Sequence, residues 1–238
     1  MTERGREPKP RVAVVTFPGS NDDGDAVLAL AALGAEPVSV WHAEHELPDV
    51  RAVVLPGGFS YGDYLRAGAL ARLAPILEAV RALATDGGLV LGICNGFQIL
   101  CEAGLLPGAL RANQSLSFVC RDVDVRVERA DTPFTRKCQE GQRLTIPVKH
   151  GEGCFFADAE LLAELEGSGR VVLRYEGESP NGSVAGIAGI ANADGNVMGL
   201  MPHPEHAVDP LVGSTDGALI LGSLIDAARE SLAEPAAV

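Results

Sequence analysis

Leu89-Val90-Leu91-Gly92-Ile93-Cys94-Asn95-Gly96-Phe97-Gln98-Ile99-Leu100 reads as a strand driven into a helix through one sharp turn. Gly92 and Gly96 stand two residues either side of the thiol. Neither carries a Cβ, so strand and helix can close on one another around the turn. Such a turn lifts its apex residue out of the sheet and strains its backbone. The helix running on from Asn95 toward Ala103 would lower the thiol pKa through its N-terminus and favour the attacking thiolate. The plainer alternative is a small apolar residue closing a buried strand.

The flanking sequence repeats the strand-then-helix pattern. Strands are expected over Arg11–Phe17, Pro37–His42 and Arg51–Leu55, with helices over about Asp22–Leu33, capped by Asn21, and Leu70–Ala84. Apolar strands alternating with helices imply an α/β fold with an open, mostly parallel sheet covered by helices on both faces. Past residue 113 the pattern changes. Ser115–Val127, Arg143–His150 and Arg170–Tyr175 read as additional, antiparallel β-segments, with a short helix at Ala157–Leu165. Val184–Asn192 and Val197–Met201 flank a hairpin turn at Ala193-Asp194-Gly195-Asn196. A last helix follows Ser214 or Thr215 and runs to about Leu232. With no repeat or low-complexity linker, one domain is expected over 11–232, with a disordered tail at 1–10 and a frayed end at 233–238.

The chain has 238 residues, 47% hydrophobic and 21% charged, an ordinary globular balance. Its net charge of −13 would repel a phosphate backbone, so no nucleic-acid partner is expected. No apolar run is long enough to span a membrane, and Met1–Pro10 has no apolar leader core. The five cysteines are odd in number and never form C-x-x-C, so neither a disulfide framework nor a zinc ribbon is indicated. The expected location is the cytoplasm. Asn113-Gln114-Ser115 and Asn181-Gly182-Ser183 match glycosylation sequons for which such a chain has no use. Gly19–Asp25 has P-loop glycine spacing but no lysine, and no metal site is read.

A nucleophilic cysteine needs a base, and the base an orienting group. Met201-Pro202-His203-Pro204-Glu205-His206 offers both. The prolines hold the segment extended, so residues two apart share a face and Glu205 can reach one nitrogen of His203. His42 and His45 read as surface or satisfied residues. Leu55-Pro56-Gly57-Gly58 leaves another parallel strand toward the same sheet edge. Backbone amides of Gly58 and Asn95 would form an oxyanion hole. A rival lies at Gly58-Phe59-Ser60-Tyr61-Gly62, the serine-elbow pattern. It fits less well, because Pro56-Gly57 separates it from the strand and the sequence after it makes a poor immediate helix.

Together these residues resemble a class I (triad) glutamine amidotransferase, a flavodoxin-like fold. Phe17-Pro18-Gly19-Ser20-Asn21, Gly57–Ala69, Gly92–Gln98, His150-Gly151-Glu152-Gly153, Pro180-Asn181-Gly182-Ser183 and Met201–Glu205 carry the resemblance. The Phe-Ser-Tyr-Gly-Asp and Pro-Asn-Gly-Ser stretches are similar to the family of glutaminase subunits of phosphoribosylformylglycinamidine synthase, from purine biosynthesis. The resemblance implies a triad of Cys94, His203 and Glu205, with Gly57, Gln98, His150, Gly151 and Glu152 around glutamine. Gln98 read alone is equally a helix-surface residue. It further implies ammonia delivery to a large synthetase subunit, a small third subunit, and no cofactor on this chain, ATP and magnesium being used by the synthetase. An amidotransferase feeding a different acceptor, a thiol stress protein of the same fold and a Ser60 hydrolase are the alternatives. His206 stands where that family usually has arginine.

Overall fold

A computed structural model describes residues 9–233. The expectations for the two chain ends concern residues that lie largely outside that range. The N-terminal half runs β1 (Arg11–Thr16), α1 (Asp23–Ala32), β2 (Glu36–Trp41), β3 (Ala52–Leu55), α2 (Ile76–Thr85), β4 (Leu89–Ile93) and α3 (Asn95–Glu102). The rest runs β5 (Ala109–Arg111), β6 (Val119–Val127), β7 (Arg143–His150), β8 (Cys154–Phe156), α4 (Ala159–Gly167), β9 (Val171–Tyr175), β10 (Ile187–Ala191), β11 (Val197–Leu200) and α5 (Gly217–Ala233).

Nine strands make one sheet in the order β2-β1-β3-β4-β11-β10-β9-β6-β7. From β2 to β11 neighbours are parallel; from β11 to β7 they are antiparallel. Every residue of β3, β4, β10 and β11 is buried, so both faces of the central sheet are covered. The α/β class, the parallel half and the antiparallel C-terminal half all match the sequence reading. So does the hairpin, in which the Asn192 amide bonds the Val197 carbonyl at 2.9 Å across Gly195 in a left-handed conformation.

Three boundaries differ, each for a local reason. The helix expected from Leu70 starts at Ile76. Ala71–Leu73 forms a separate short turn, and Ala74 is extended because it precedes Pro75. The strand expected from Ser115 starts at Val119, after Leu116 adopts φ +55. The strand expected from Val184 starts at Ile187, since Ala185 sits at φ +50 in a turn. The small antiparallel pair β5–β8, three residues a strand, was not foreseen.

The glycines beside Cys94 act as the sequence suggests. A Cβ on Gly92 would lie 2.5 Å from Leu100 Cδ1 and 2.7 Å from the Gly96 carbonyl carbon, and one on Gly96 would overlap the Leu55 carbonyl. Strand and helix are thus in backbone contact around the thiol. Gly96→Ala is expected to lower stability by about 2 kcal/mol through overpacking. An unchanged denaturation midpoint would contradict this packing.

Candidate active site

β4 ends at the turn that carries Cys94, whose backbone stands at φ +50, ψ −102. A non-glycine residue there is strained, and the surrounding close packing holds it in place. Its amide donates to the Leu200 carbonyl at 2.8 Å. Leu200 ends β11, and three residues further on comes His203. The partner strand of the nucleophile therefore delivers the base. The His203 amide is fixed in turn by the Pro147 carbonyl of β7, at 2.8 Å.

His203 is fully buried, and its Nδ1 meets Glu205 Oε1 at 2.6 Å. Burial alone would push this imidazole's pKa down. The Glu205 carboxylate, then Cys94 acting through charge and as a hydrogen-bond partner, outweigh burial and raise it. Strict hydrogen-bond geometry leaves Nε2 unpaired, and the Cys94 thiol points to the Lys149 carbonyl at 3.8 Å. Catalytic pairs commonly tighten only when substrate binds. Cys94 is near enough to act on the His203 pKa, so sulfur and imidazole come together across more than a hundred positions.

A cavity of about 140 Å³ opens beside the thiol. Gly58, Gln98, His150, Gly151 and Glu152 line it, as expected. Asn95 is the first residue of α3, where backbone amides have no helical acceptor, so its N–H is available beside Cys94. Gln98 is buried, not a helix-surface residue; it donates to the Glu152 carbonyl at 2.6 Å and accepts from Asn95 Nδ2 at 2.8 Å. Gly57 is the exception among the expected residues. It lies outside the cavity, packed between Asp22 and His203, where any Cβ would strike both side chains. Its role is clearance for the imidazole.

His150 is buried and bonds Asn113 Oδ1 through Nδ1 at 3.1 Å. Burial, and then the nearby His203 charge, push its pKa down to about 4, so it is neutral at pH 7. The two sequon asparagines are structural. Asn113 Nδ2 donates to the His150 carbonyl and Asn181 Nδ2 to the Gly153 carbonyl, clamping the loop that lines the cavity. His42 bonds the Tyr61 hydroxyl at 2.6 Å and is satisfied, as read.

Several residues escaped the sequence reading. Phe59, Asp63, Phe118 and Lys149 also line the cavity. Phe59 and Phe118 stack at 6.5 Å between ring centroids, both largely exposed. Asn21 does not cap α1; the cap position belongs to Asp22, whose carboxylate caps nothing. It is buried instead against Lys149 Nζ and His206 Nε2, the latter at 3.2 Å, with Oδ2 3.7 Å from His203 Nδ1. Burial alone would raise the Asp22 pKa; His206, His203 and Lys149 more than offset it and hold it at about 2.

Asp22, His203, Glu205 and His206 each offer a donor atom within 4.8 Å of one another. Ligands of one tetrahedral zinc ion stand about 3.3 Å apart, given bonds near 2.0 Å. The 2.6 Å between His203 and Glu205 is that of a hydrogen bond, and Lys149 already occupies Asp22. The four side chains stand as a hydrogen-bonded ion network. Ser60, the rival nucleophile, is buried and its Oγ has no hydrogen-bond partner, so no base serves it.

A profile of the CobB/CobQ-like glutamine amidotransferase domain matches residues 9–217, the class that this fold and elbow define. The phosphoribosylformylglycinamidine synthase subunit PurQ of Rubrobacter xylanophilus is 60% identical over 219 residues, 92% of this chain and 99% of the relative. A chain of the PurLQS structure from Thermotoga maritima is 47% identical with a TM-score of 0.84, covering 92% of this chain and 99% of that one. A glutamine amidotransferase from the same organism, 17% identical with a TM-score of 0.59, shares the fold. The chain belongs to the PurQ family of glutamine amidotransferases. No helix among the described residues is long and apolar enough to cross a membrane.

Two outcomes test the site. Ser60→Ala is expected to retain full glutamine turnover; a folded but inactive variant would restore the serine as nucleophile. Asp63 is pushed up to about 6 by burial and then by Glu152. Its folded pKa lies above the ordinary value of 3.8, so ionised Asp63 destabilises the fold above pH 6, and that penalty disappears as pH falls below 4. Asp63→Asn should therefore raise stability at pH 7 by on the order of 1 kcal/mol, allowing for partial solvent screening. Equal denaturation midpoints of the two proteins at pH 7 would contradict the environment described.

Proposed function

We propose that this chain hydrolyses glutamine to glutamate and ammonia through a Cys94 thioester. The ammonia passes to a large synthetase subunit that makes formylglycinamidine ribonucleotide, in a complex like the PurLQS assembly of the Thermotoga relative. One observation carries the chemistry: a strained thiol at the end of β4, with the buried His203–Glu205 pair delivered by its parallel neighbour β11.

The steps follow from the groups. The Cys94 thiolate attacks the side-chain amide carbon of glutamine. Negative charge gathers on the carbonyl oxygen, where the Gly58 and Asn95 amides stabilise it; such a donor is worth about 2.7–4 kcal/mol of barrier. The His203 imidazolium gives its proton to the amide nitrogen, the C–N bond breaks and ammonia leaves. The neutral imidazole then takes a proton from water, which attacks the thioester. Collapse releases glutamate and restores the thiolate–imidazolium pair. Glu205 keeps Nε2 aimed at sulfur and stabilises the cation on Nδ1. Gln98, His150, Gly151 and Glu152 shape the glutamine cavity. The chain needs no cofactor in this scheme; ATP and magnesium serve the synthetase.

A small third subunit is assigned as a further partner, on the likeness to a chain of the PurLQS structure. The cytoplasm is the compartment this reading assigns, supported by five free thiols spread over the fold.

Cys94→Ala, assayed in the assembled complex, should lose glutamine hydrolysis entirely and keep synthesis driven by added ammonia. Persistent glutaminase activity would remove Cys94 as the nucleophile. Robust ammonia transfer to an acceptor other than formylglycinamide ribonucleotide would reassign the partner.

A further inference from the structure

We infer that Asp22 is a second carboxylate for the His203 imidazolium, a positioning residue that sets the charge of the base jointly with Glu205. The inference rests on the glutaminase reading of the Cys94 site and extends it to a residue outside the triad.

The geometry is the argument. Asp22 is 2% exposed, although it stands at the start of a helix where an aspartate normally caps in water. Its carboxylate makes no cap. Oδ2 approaches the same Nδ1 edge of His203 that Glu205 holds, at 3.7 Å. Gly57 is the residue that permits the approach, because a Cβ there would strike both Asp22 Oδ2 and His203 Cε1. A buried carboxylate is costly unless paired, and this one is paired on its other side by Lys149 and His206. Lys149 is also the residue whose carbonyl faces the Cys94 thiol. Asp22 thus closes a ring from nucleophile through Lys149 to the base, joining β7 to the β1–α1 turn.

The charged and titratable groups around the imidazole are Glu205, Asp22, Cys94, His206 and His150. His206 itself faces Asp22, Glu205 at 3.6 Å and Asp25 at 3.9 Å. Only Glu205 and Asp22 bring negative charge to Nδ1. Glu205 aligns the ring by a direct bond. Asp22 sits beyond bonding distance of Nδ1 and acts through space, so its removal should alter the proton affinity of His203 more than its orientation. Asp22 does not line the glutamine cavity, so it affects turnover without affecting substrate binding.

The test reads the imidazole directly. In a Cys94→Ala background, NMR titration of the His203 ring nitrogens should show its pKa fall by about one pH unit on Asp22→Asn, the scale of one charge at this separation. Lys149→Met should move it the opposite way, because the ionised Asp22 then faces the imidazole without its compensating cation. In otherwise wild-type protein within the complex, Asp22→Asn should lower kcat about tenfold with KM unchanged, and Asp22→Glu should recover part of the loss. An unmoved His203 titration in both variants would overturn the proposal, as would equal changes in KM and kcat. If Asp22→Asn does not fold, Lys149→Met alone decides it: a pKa that falls or stays put contradicts the account. Failure of the glutaminase reading is separable, because it would appear as absent hydrolysis in the wild-type complex while the ring titration still reports on Asp22.

Discussion

The parallel pairing of β4 with β11 is the constraint on which the site depends. Gly92 lies opposite Gly199 and Ile93 opposite Leu200, and the ladder continues one bond further, into the Cys94 amide. Two segments remote in sequence therefore leave the sheet at the same edge and at the same height. A one-residue slip would turn the side chains of β11 to the other face. The small residues lock the register: a Cβ on Gly199 would run into the Phe97 ring, so α3 can seat itself only over this alignment. Catalytic geometry here is a consequence of sheet register and helix seating rather than of loop conformation.

Charge then has to be balanced inside a dry interior. His203, Glu205 and Asp22 are all buried, and an isolated ion in such a place costs several kcal/mol. The structure meets this with a connected set in which two carboxylates face two imidazoles and one ammonium. Removing any member leaves another uncompensated, so the network is cooperative. Glu205 Oε2 and His203 Nε2 remain without strict partners, and both belong to the reacting pair or its support. Unsatisfied buried atoms of this kind accumulate where a fold serves chemistry before stability.

Much of this was legible in the sequence, for identifiable reasons. Continuous apolar strands and paired glycines announce a parallel sheet with a tight elbow, and His-Pro-Glu announces an oriented base. The missing parts depend on tertiary contact. Nothing local marks Asp22 as buried, because an aspartate in the first turn of a helix capped by Asn21 looks exposed. Lys149 reads as an alternating strand residue. Gly57 is expected beside glutamine and turns out to be clearance for His203. The asparagines of the two sequons look like surface sites, yet Asn113 and Asn181 hold the cavity loop from within. The short strands β5 and β8 carry too few residues for any periodicity to register.

The central claim is that Cys94 is a nucleophile because His203 stands beside it. A glutamine-shaped electrophile, such as an α-amino acid bearing a diazoketone in place of the amide, tests this most directly when its attachment point is mapped by mass spectrometry. The account predicts modification of Cys94 alone among the five cysteines, and loss of that modification in a folded His203→Asn protein. Labelling of Ser60 or another cysteine, or undiminished labelling of Cys94 without His203, would contradict it.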